Sequence, residues 1–366
     1  MRKACYGARP DVFRVDYGLL RVVRLGRMQE PRRARLIDVA RRAGVGKTTA
    51  SDALSGGGRV SPATREAVLA AAAELGYSVN TAARHLRGGA IGTIGIVLPE
   101  VVSRSSYYMA FTFGIVTSAA AHDIDVTIVS PSASSGRSRP IRADGLIIGD
   151  PVSGDPGLPS LMASGIPIVT QEHLPDDVEG VPDGVIWSSH EAAMLRLLDE
   201  IDTTGAQHPA LLVAPEATDW SRQLVSGYRS GCAARGLEPV IAPISFEAPW
   251  HAVRESTERL LQTNPDTDVI ICGPDSSAIE VVAVLGRLGR TIGEDITVVS
   301  CVDHPSLPFL TPSITSIDLR PRDSGVACAE LLIDLLDGRA ASGTDVEFPI
   351  AVVARESTSQ ALRVHR

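Results

Sequence analysis

Seven short, apolar-rich runs punctuate the chain beyond residue 90, and they constrain its fold more than any other feature. They are IGTIGIVLP (91–99), VTIVS (126–130), GLIIG (145–149), PIVTQ (167–171), PALLVAP (209–215), VIICG (269–273) and TVVSC (297–301). Strands of this texture are buried on both faces, as in parallel sheets covered by helices on either side. The stretches between them have helical period, so the region reads as α/β. The runs fall into an earlier and a later group, which predicts two α/β lobes with chain crossings between them. Gly89-x-x-Gly92-x-x-Gly95 precedes and enters a strand instead of following one, so it is not a phosphate cradle. No P-loop, HExxH or GxSxG pattern occurs in the sequence.

With 366 residues the chain exceeds the usual size of a single core, so two or three domains are expected. No run of about 18 apolar residues suggests a membrane span. The five cysteines (Cys5, Cys232, Cys272, Cys301, Cys328) are scattered without a CxxC pair, which reads as buried thiols in a reducing cytoplasm. The net charge of −8 conceals a split. Residues 28–90 carry ten Arg/Lys against five Asp/Glu, whereas residues 91–366 carry 18 against 36. A basic head on an acidic body points the head, and not the body, toward a polyanion. Residues 1–27 lack an apolar signal core, so secretion is a poor reading. Met28 is the expected start of translation, with residues 1–31 an extension; the rival reading is a basic arm that attracts phosphate.

The basic segment reads as three short helices. Leu36, Val39, Ala40 and Ala43 share one face, and Gly44-Val45-Gly46 breaks the pattern. A second helix from Thr48 to Leu54 buries Ala50, Ala53 and Leu54. Ser61-Pro62 supplies an N-cap and a first-turn proline for a third, which runs to about Leu75 and buries Val68, Leu69, Ala72 and Leu75. A tight glycine turn between the first two helices makes a helix-turn-helix. Over LIDVARRAGVGKTTASDALSGGGRVSPATREAVLAAAAELGYSVN this segment resembles the DNA-binding head of the LacI/GalR family of bacterial repressors. Asp38-Val39-Ala40, Ala43-Gly44-Val45, Thr49, Ser51, Leu54, Val60-Ser61, Thr64-Arg65 and Leu75-Gly76-Tyr77 with Asn80 carry the match.

The resemblance implies a helix-turn-helix domain over residues 32–79, a hinge helix and linker over 80–90, and an effector-binding and dimerisation domain over 91–366. The second helix would enter the major groove, with Lys47, Thr48 and Asp52 at base-reading positions. Lys47 suits guanine, Thr48 a thymine methyl and Asp52 the cytosine amine. Asp52 departs from the arginine or histidine common there; its plain alternative is a solvated residue kept off the phosphates. Thr49, Ser51, Tyr77, Asn80 and Ala83 complete the implied DNA contacts, the polar ones fixing register on phosphates. Leu86 matches the hinge leucine that wedges between central base pairs and bends the duplex. Its alternative is one more core leucine.

Beyond residue 91 the resemblance is to that family's periplasmic-binding-protein-like domain, looser than in the head. Ligands in such folds occupy the crevice at strand C-terminal ends between the lobes. Positions in the motif nominate Tyr107, Tyr108, Gln171, Trp220, Arg222, Asp275 and Asp303 as ligand contacts. As ordinary structure, the tyrosines belong to a lobe core and Asp275 caps the helix that follows it. Leu224 replaces a family arginine, with Arg222 close but out of register, and Pro274 replaces an asparagine frequent in sugar-responsive members. The Ser130–Asp144 connection is shorter than the family helix. The function implied is a cytoplasmic, nucleoid-associated repressor, homodimeric on a pseudo-palindromic DNA operator, controlled by a small-molecule effector, a sugar or related metabolite. No cofactor and no metal are expected. A solute-binding protein without regulatory role is the second reading, against which the basic head and missing signal count. Scattered histidines without nucleophile motif or metal spacing leave an enzyme the least supported.

Overall fold

A computed structural model describes residues 34–55, 60–75, 91–99, 105–129, 141–215, 217–245 and 249–359. They form two compact units, one before and one after the Ala83–Arg84 boundary. Residues 1–31, the hinge segment 80–90 with Asn80, Ala83 and Leu86, Tyr77, and most of the Ser130–Asp144 connection lie outside the described residues.

The first unit holds α1 (Leu36–Arg42), α2 (Lys47–Ser55) and α3 (Pro62–Glu74). The Asp38 carboxylate accepts the Arg35 N–H at 2.9 Å, which closes the first turn of α1. Gly44 then adopts φ +68°, a left-handed turn that a side chain would strain. Ser61 caps α3 by accepting the Thr64 N–H at 3.2 Å, with Pro62 in the first turn. Val39, Ala40, Ala50, Ala53, Val68, Ala71 and Ala72 form the small core, with Val45 packed against it from the turn. The expected burial of Leu69 is corrected: it is 50% exposed and Ala71 takes the inward position.

The second unit contains two six-stranded sheets. The first lobe is built on β1 (Thr93–Val97), β2 (Asp125–Ile128), β3 (Gly145–Gly149), β4 (Ile168–Gln171), β5 (Gly184–Trp187) and β11 (Thr344–Glu347), ordered β11-β5-β4-β3-β1-β2 and all parallel. The second lobe holds β6 (Pro209–Val213), β7 (Val240–Pro243), β8 (Val269–Cys272), β9 (Thr297–Ser300), β10 (Thr315–Asp318) and β12 (Ala351–Val353), ordered β12-β10-β9-β8-β6-β7 with only β12 antiparallel. The chain crosses between lobes after β5, after β10 and after β11. All seven apolar runs of the sequence became strands.

Helices α4 (Ser106–Ala121), α5 (Leu158–Met162), α6 (His190–Asp202), α7 (Asp219–Ala234), α8 (Trp250–Thr263), α9 (Ser277–Arg287), α10 (Pro321–Leu336) and α11 (Glu356–Ser359) complete the unit. Asp144 fixes the start of β1 by accepting the N–H groups of Ile91, Gly92 and Thr93. Helices α4 and α10 cross backbone against backbone. A Cβ on Gly325 would strike the Phe111 carbonyl, and one on Gly114 the Arg322 carbonyl. The apolar segment Val326–Leu336 thus lies in a core helix, with Cys328, Ala329, Leu332 and Ile333 buried. No described helix is long and apolar enough to cross a membrane.

Candidate nucleic-acid interface and ligand cleft

On the head, α2 turns Ala50 and Ala53 inward and leaves Lys47 and Thr48 exposed at its N-terminal end. Thr48 and Asp52, four residues apart, share a helix face, as do Lys47 and Ser51. Thr49, Ser51 and Asp52 are half-buried. Arg42 is tied to Glu74 at 2.6 Å and Arg41 to Asp38 at 3.6 Å, so these two arginines are partly neutralised. Lys47 has no ion-pair partner among the described residues and offers its full charge.

Between the lobes lies a cleft of about 620 Å³, within the range of small-molecule sites. Five of the seven nominated residues line it: Tyr107, Tyr108, Gln171, Trp220 and Asp275. Tyr107 and Tyr108 stand in the first turn of α4, edge to face at 5.2 Å, buried yet facing the cleft. Trp220 occupies the first turn of α7, held by the Thr218 cap. Arg222 lies outside the lining and pairs with Asp219 at 2.9 Å and Asp176 at 3.5 Å. Asp303 is also outside it. Its carboxylate receives both terminal nitrogens of Arg355 at 2.9 Å and the Ser316 hydroxyl at 2.8 Å. In the turn after β9 it is Val302 that faces the cleft.

Asp275 does not cap the helix that follows it. It accepts the Ser105 hydroxyl at 2.8 Å, the Ser106 hydroxyl at 3.1 Å and the Tyr107 N–H at 3.3 Å, at the start of α4 in the opposite lobe. A carboxylate against those donors and the helix N-terminus clasps the lobes together. Further cross-lobe links join His190 Nε2 to Glu172 at 2.9 Å and His173 Nδ1 to Asp219 at 3.4 Å.

The floor holds two carboxylates that sequence reasoning missed. Asp150 follows β3 and Glu172 follows β4, both in the left-handed region at φ +44° and +73°. Tyr108 donates its hydroxyl to Asp150 at 2.7 Å. Glu172 accepts Gln171 Nε2 at 2.7 Å and the Ser188 N–H at 3.2 Å besides His190. Burial, reinforced by the Glu172 charge, pushes the Asp150 carboxyl up to about 7, although Tyr108 and His190 favour its ionised form. Burial disfavours the His190 cation, but Glu172, Asp150 and Asp219 outweigh it and its pKa rises. Both acids sit immediately after predicted strands, where strand C-terminal ends build ligand sites, and that position was the available signal. Trp250, His251 and Glu280 also line the cleft and were not nominated. No cluster suited to a metal occurs among the described residues.

Fold and sites together define a two-lobed ligand-binding body carried in one chain with a helix-turn-helix head. The profile of bacterial regulatory proteins of the lacI family matches residues 35–80, and that of the periplasmic binding protein-like domain matches residues 198–358. Residues 35–80 thus carry the DNA-binding domain of the lacI family, and residues 198–358 a periplasmic binding protein-like domain. Among similar proteins, the HTH-type transcriptional regulator CelR of Thermobifida fusca is 28% identical over 90% of this chain and 100% of its own. The lactose operon repressor of Escherichia coli (strain K12) is 24% identical over 88% of this chain and 90% of its own. Two solved structures share the fold. The lac repressor dimer bound to operator and the anti-inducer ONPF has TM-score 0.74 and 23% identity, over 89% of this chain and 99% of that one. The CelR–cellobiose complex has TM-score 0.62 and 24% identity, over 89% and 100%.

Proposed function

We propose that this protein is a sequence-specific transcriptional regulator, a repressor, whose hold on its operator is set by a small polar metabolite bound between the lobes. The observation that carries the reading is the joining, in one chain, of an exposed Lys47–Thr48 recognition edge to a cleft walled by both lobes. Lys47, Thr48 and Asp52 read base edges, while Thr49 and Ser51 take phosphates. Tyr77, Asn80, Ala83 and Leu86 keep the DNA-contact role that the sequence assigns them, as do the domain limits 32–79, 80–90 and 91–366. Acting on DNA places the protein in the cytoplasm at the nucleoid, and no catalytic role is assigned. Homodimerisation has support from Met109, Phe113 and Val116, which leave an exposed apolar stripe along one face of α4. A ligand that touches both lobes shifts their closure, and a coupling of about 1–3 kcal/mol to the operator site is typical of such devices.

The test is selection from a randomised duplex library at rising salt. A pseudo-palindrome, retained as salt rises, is the expected result. Uniform retention lost steeply with salt would leave only phosphate attraction and overturn the reading.

A further inference from the structure

The chemistry of the cleft narrows its ligand, on the reading that it is the effector site. Its charged lining comprises Asp150, Glu172, Asp275 and Glu280, and no lysine or arginine is among the described residues that face it. Asp275 is committed to the clasp with α4. Asp150 and Glu172 lie side by side at the ends of adjacent strands, their backbones held in a conformation that costs energy for any side chain but glycine.

The lining offers donors at Tyr107, Trp250 and His251, but beside the two carboxylates it adds a further acceptor. Gln171 is only 4% exposed; its Nε2 is spent on Glu172, and its Oε1 has no hydrogen-bond partner. A buried acceptor without a donor is costly, so this oxygen waits for one from a ligand. The walls are π-faces: Tyr107, Tyr108, Trp220 and Trp250 line the same space. Aromatic faces attract cations, and Arg254 already stands 5.2 Å over the Trp250 ring.

We infer that the cleft takes a cation: a small polyhydroxylated molecule bearing a protonated amine, of the amino-sugar class, with the ammonium between Asp150, Glu172 and the Gln171 carbonyl. A neutral polyol would leave the Asp150–Glu172 repulsion offset only by Tyr108 and the partners of Glu172, and an anion would add a third negative group beside that floor. A primary ammonium offers three donors and a full positive charge to that floor. Its hydroxyls then meet the remaining acceptors, and its ring face meets the tryptophans.

The test measures binding to the full chain, at neutral pH and low salt, of matched pairs that exchange one hydroxyl for an amine. The pairs are glucose and glucosamine, galactose and galactosamine, and mannose and mannosamine. The amine member of at least one pair should bind about tenfold tighter or better. Asp150→Asn and Glu172→Gln should each erode that preference while melting cooperatively and retaining duplex DNA as the parent does. Equal or tighter binding of the neutral members in every pair overturns the inference, as does no detectable amine binding at millimolar concentration. An amine preference that survives both substitutions also overturns it, because general attraction to the acidic body then explains it. The effector reading fails separately: a neutral sugar that binds and changes operator retention leaves it standing, whereas loss of sequence-selective retention does not.

Discussion

Replacing Asp150 with asparagine should stabilise the protein, and by an amount that grows with pH. The carboxyl titrates at about 7 in the folded chain against an ordinary 3.8. Between those values the unfolded chain has lost its proton and the folded chain still holds one. Wild-type stability therefore falls as pH rises through that window, by about 1.4 kcal/mol per pH unit, and levels off above the folded value. Over a window of about three pH units the cost reaches roughly 4 kcal/mol. Asparagine cannot ionise, and its carbonyl can still accept the Tyr108 hydroxyl now bonded to Asp150 at 2.7 Å. The gain of Asp150→Asn should thus be near zero around pH 4 and approach about 4 kcal/mol around pH 8. His190 also titrates. Its raised pKa gives stability present below its ordinary value of 6.5 and lost as pH rises through the folded one. Because the Asp150 charge helps to raise the His190 pKa, the difference between the two curves reports Asp150 together with its coupling to His190. Urea titrations of the ligand-free protein at several pH values supply the curves. Parallel curves across the window would refute the reasoning, because they would mean that Asp150 ionises as freely in the cleft as in water.

Three further outcomes are expected. Lys47→Ala should weaken binding to the selected operator by about 1–3 kcal/mol and relax base preference at one position per half-site, read by repeating the library selection. Uniform weakening across all sequences would reassign Lys47 to the phosphates. Phe113→Glu places a charge in the α4 apolar stripe, where the native side chain is 53% exposed, and should shift the protein toward monomer in sedimentation velocity with its melting temperature kept. Gly325→Ala forces a methyl onto the Phe111 carbonyl and should lower unfolding free energy by about 1–3 kcal/mol or more, measured by urea denaturation.

The strands that could be read in the sequence are, apart from the exposed edge β2, those that end up largely buried. β3, β4, β6, β8 and β9 are each buried along their whole length, and apolar residues dominate them, with polar ones only at Thr170 and Gln171 in β4 and at the two ends of β9. β11 reads TDVE and is largely exposed at a sheet edge, while β10 reads TSID with its polar groups satisfied internally; neither carries a signal of that kind. β7 is a half-buried edge of the other sheet. In the head, the error at Leu69 is one of helical phase: α3 is so rich in alanine that Ala71 fills the inward position as readily as a leucine. The site divides likewise. Aromatic and amide contacts followed from motif position, but Asp303 and Val302 differ by one residue in a turn after β9, and only coordinates show which one Arg355 captures. Asp150 and Glu172 resemble ordinary turn acids in sequence, since positive φ and burial are invisible there.

Those two acids also explain how occupancy of the cleft can be felt by the arrangement of the lobes. Glu172 belongs to the first lobe and His190 to the second, and their 2.9 Å contact is fully buried beside the crossing after β5. The Asp275 clasp binds the lobes at the start of α4. Opening the lobes would part Glu172 from its imidazole and Asp275 from its three donors, and an isolated buried charge is strongly unfavourable. A ligand gains leverage only through a difference in affinity between the two arrangements. A cation at Asp150 and Glu172 would have such a difference, since the second-lobe walls, Trp220 and Trp250, would add aromatic faces to that floor only in the closed arrangement. The same ammonium competes with His190 for the charge of Glu172, so ligand binding and the buried ion pair draw on one electrostatic source. The closure equilibrium should respond to both, and a chain with glutamine at position 172 should lose the response to ligand together with the imidazole tie.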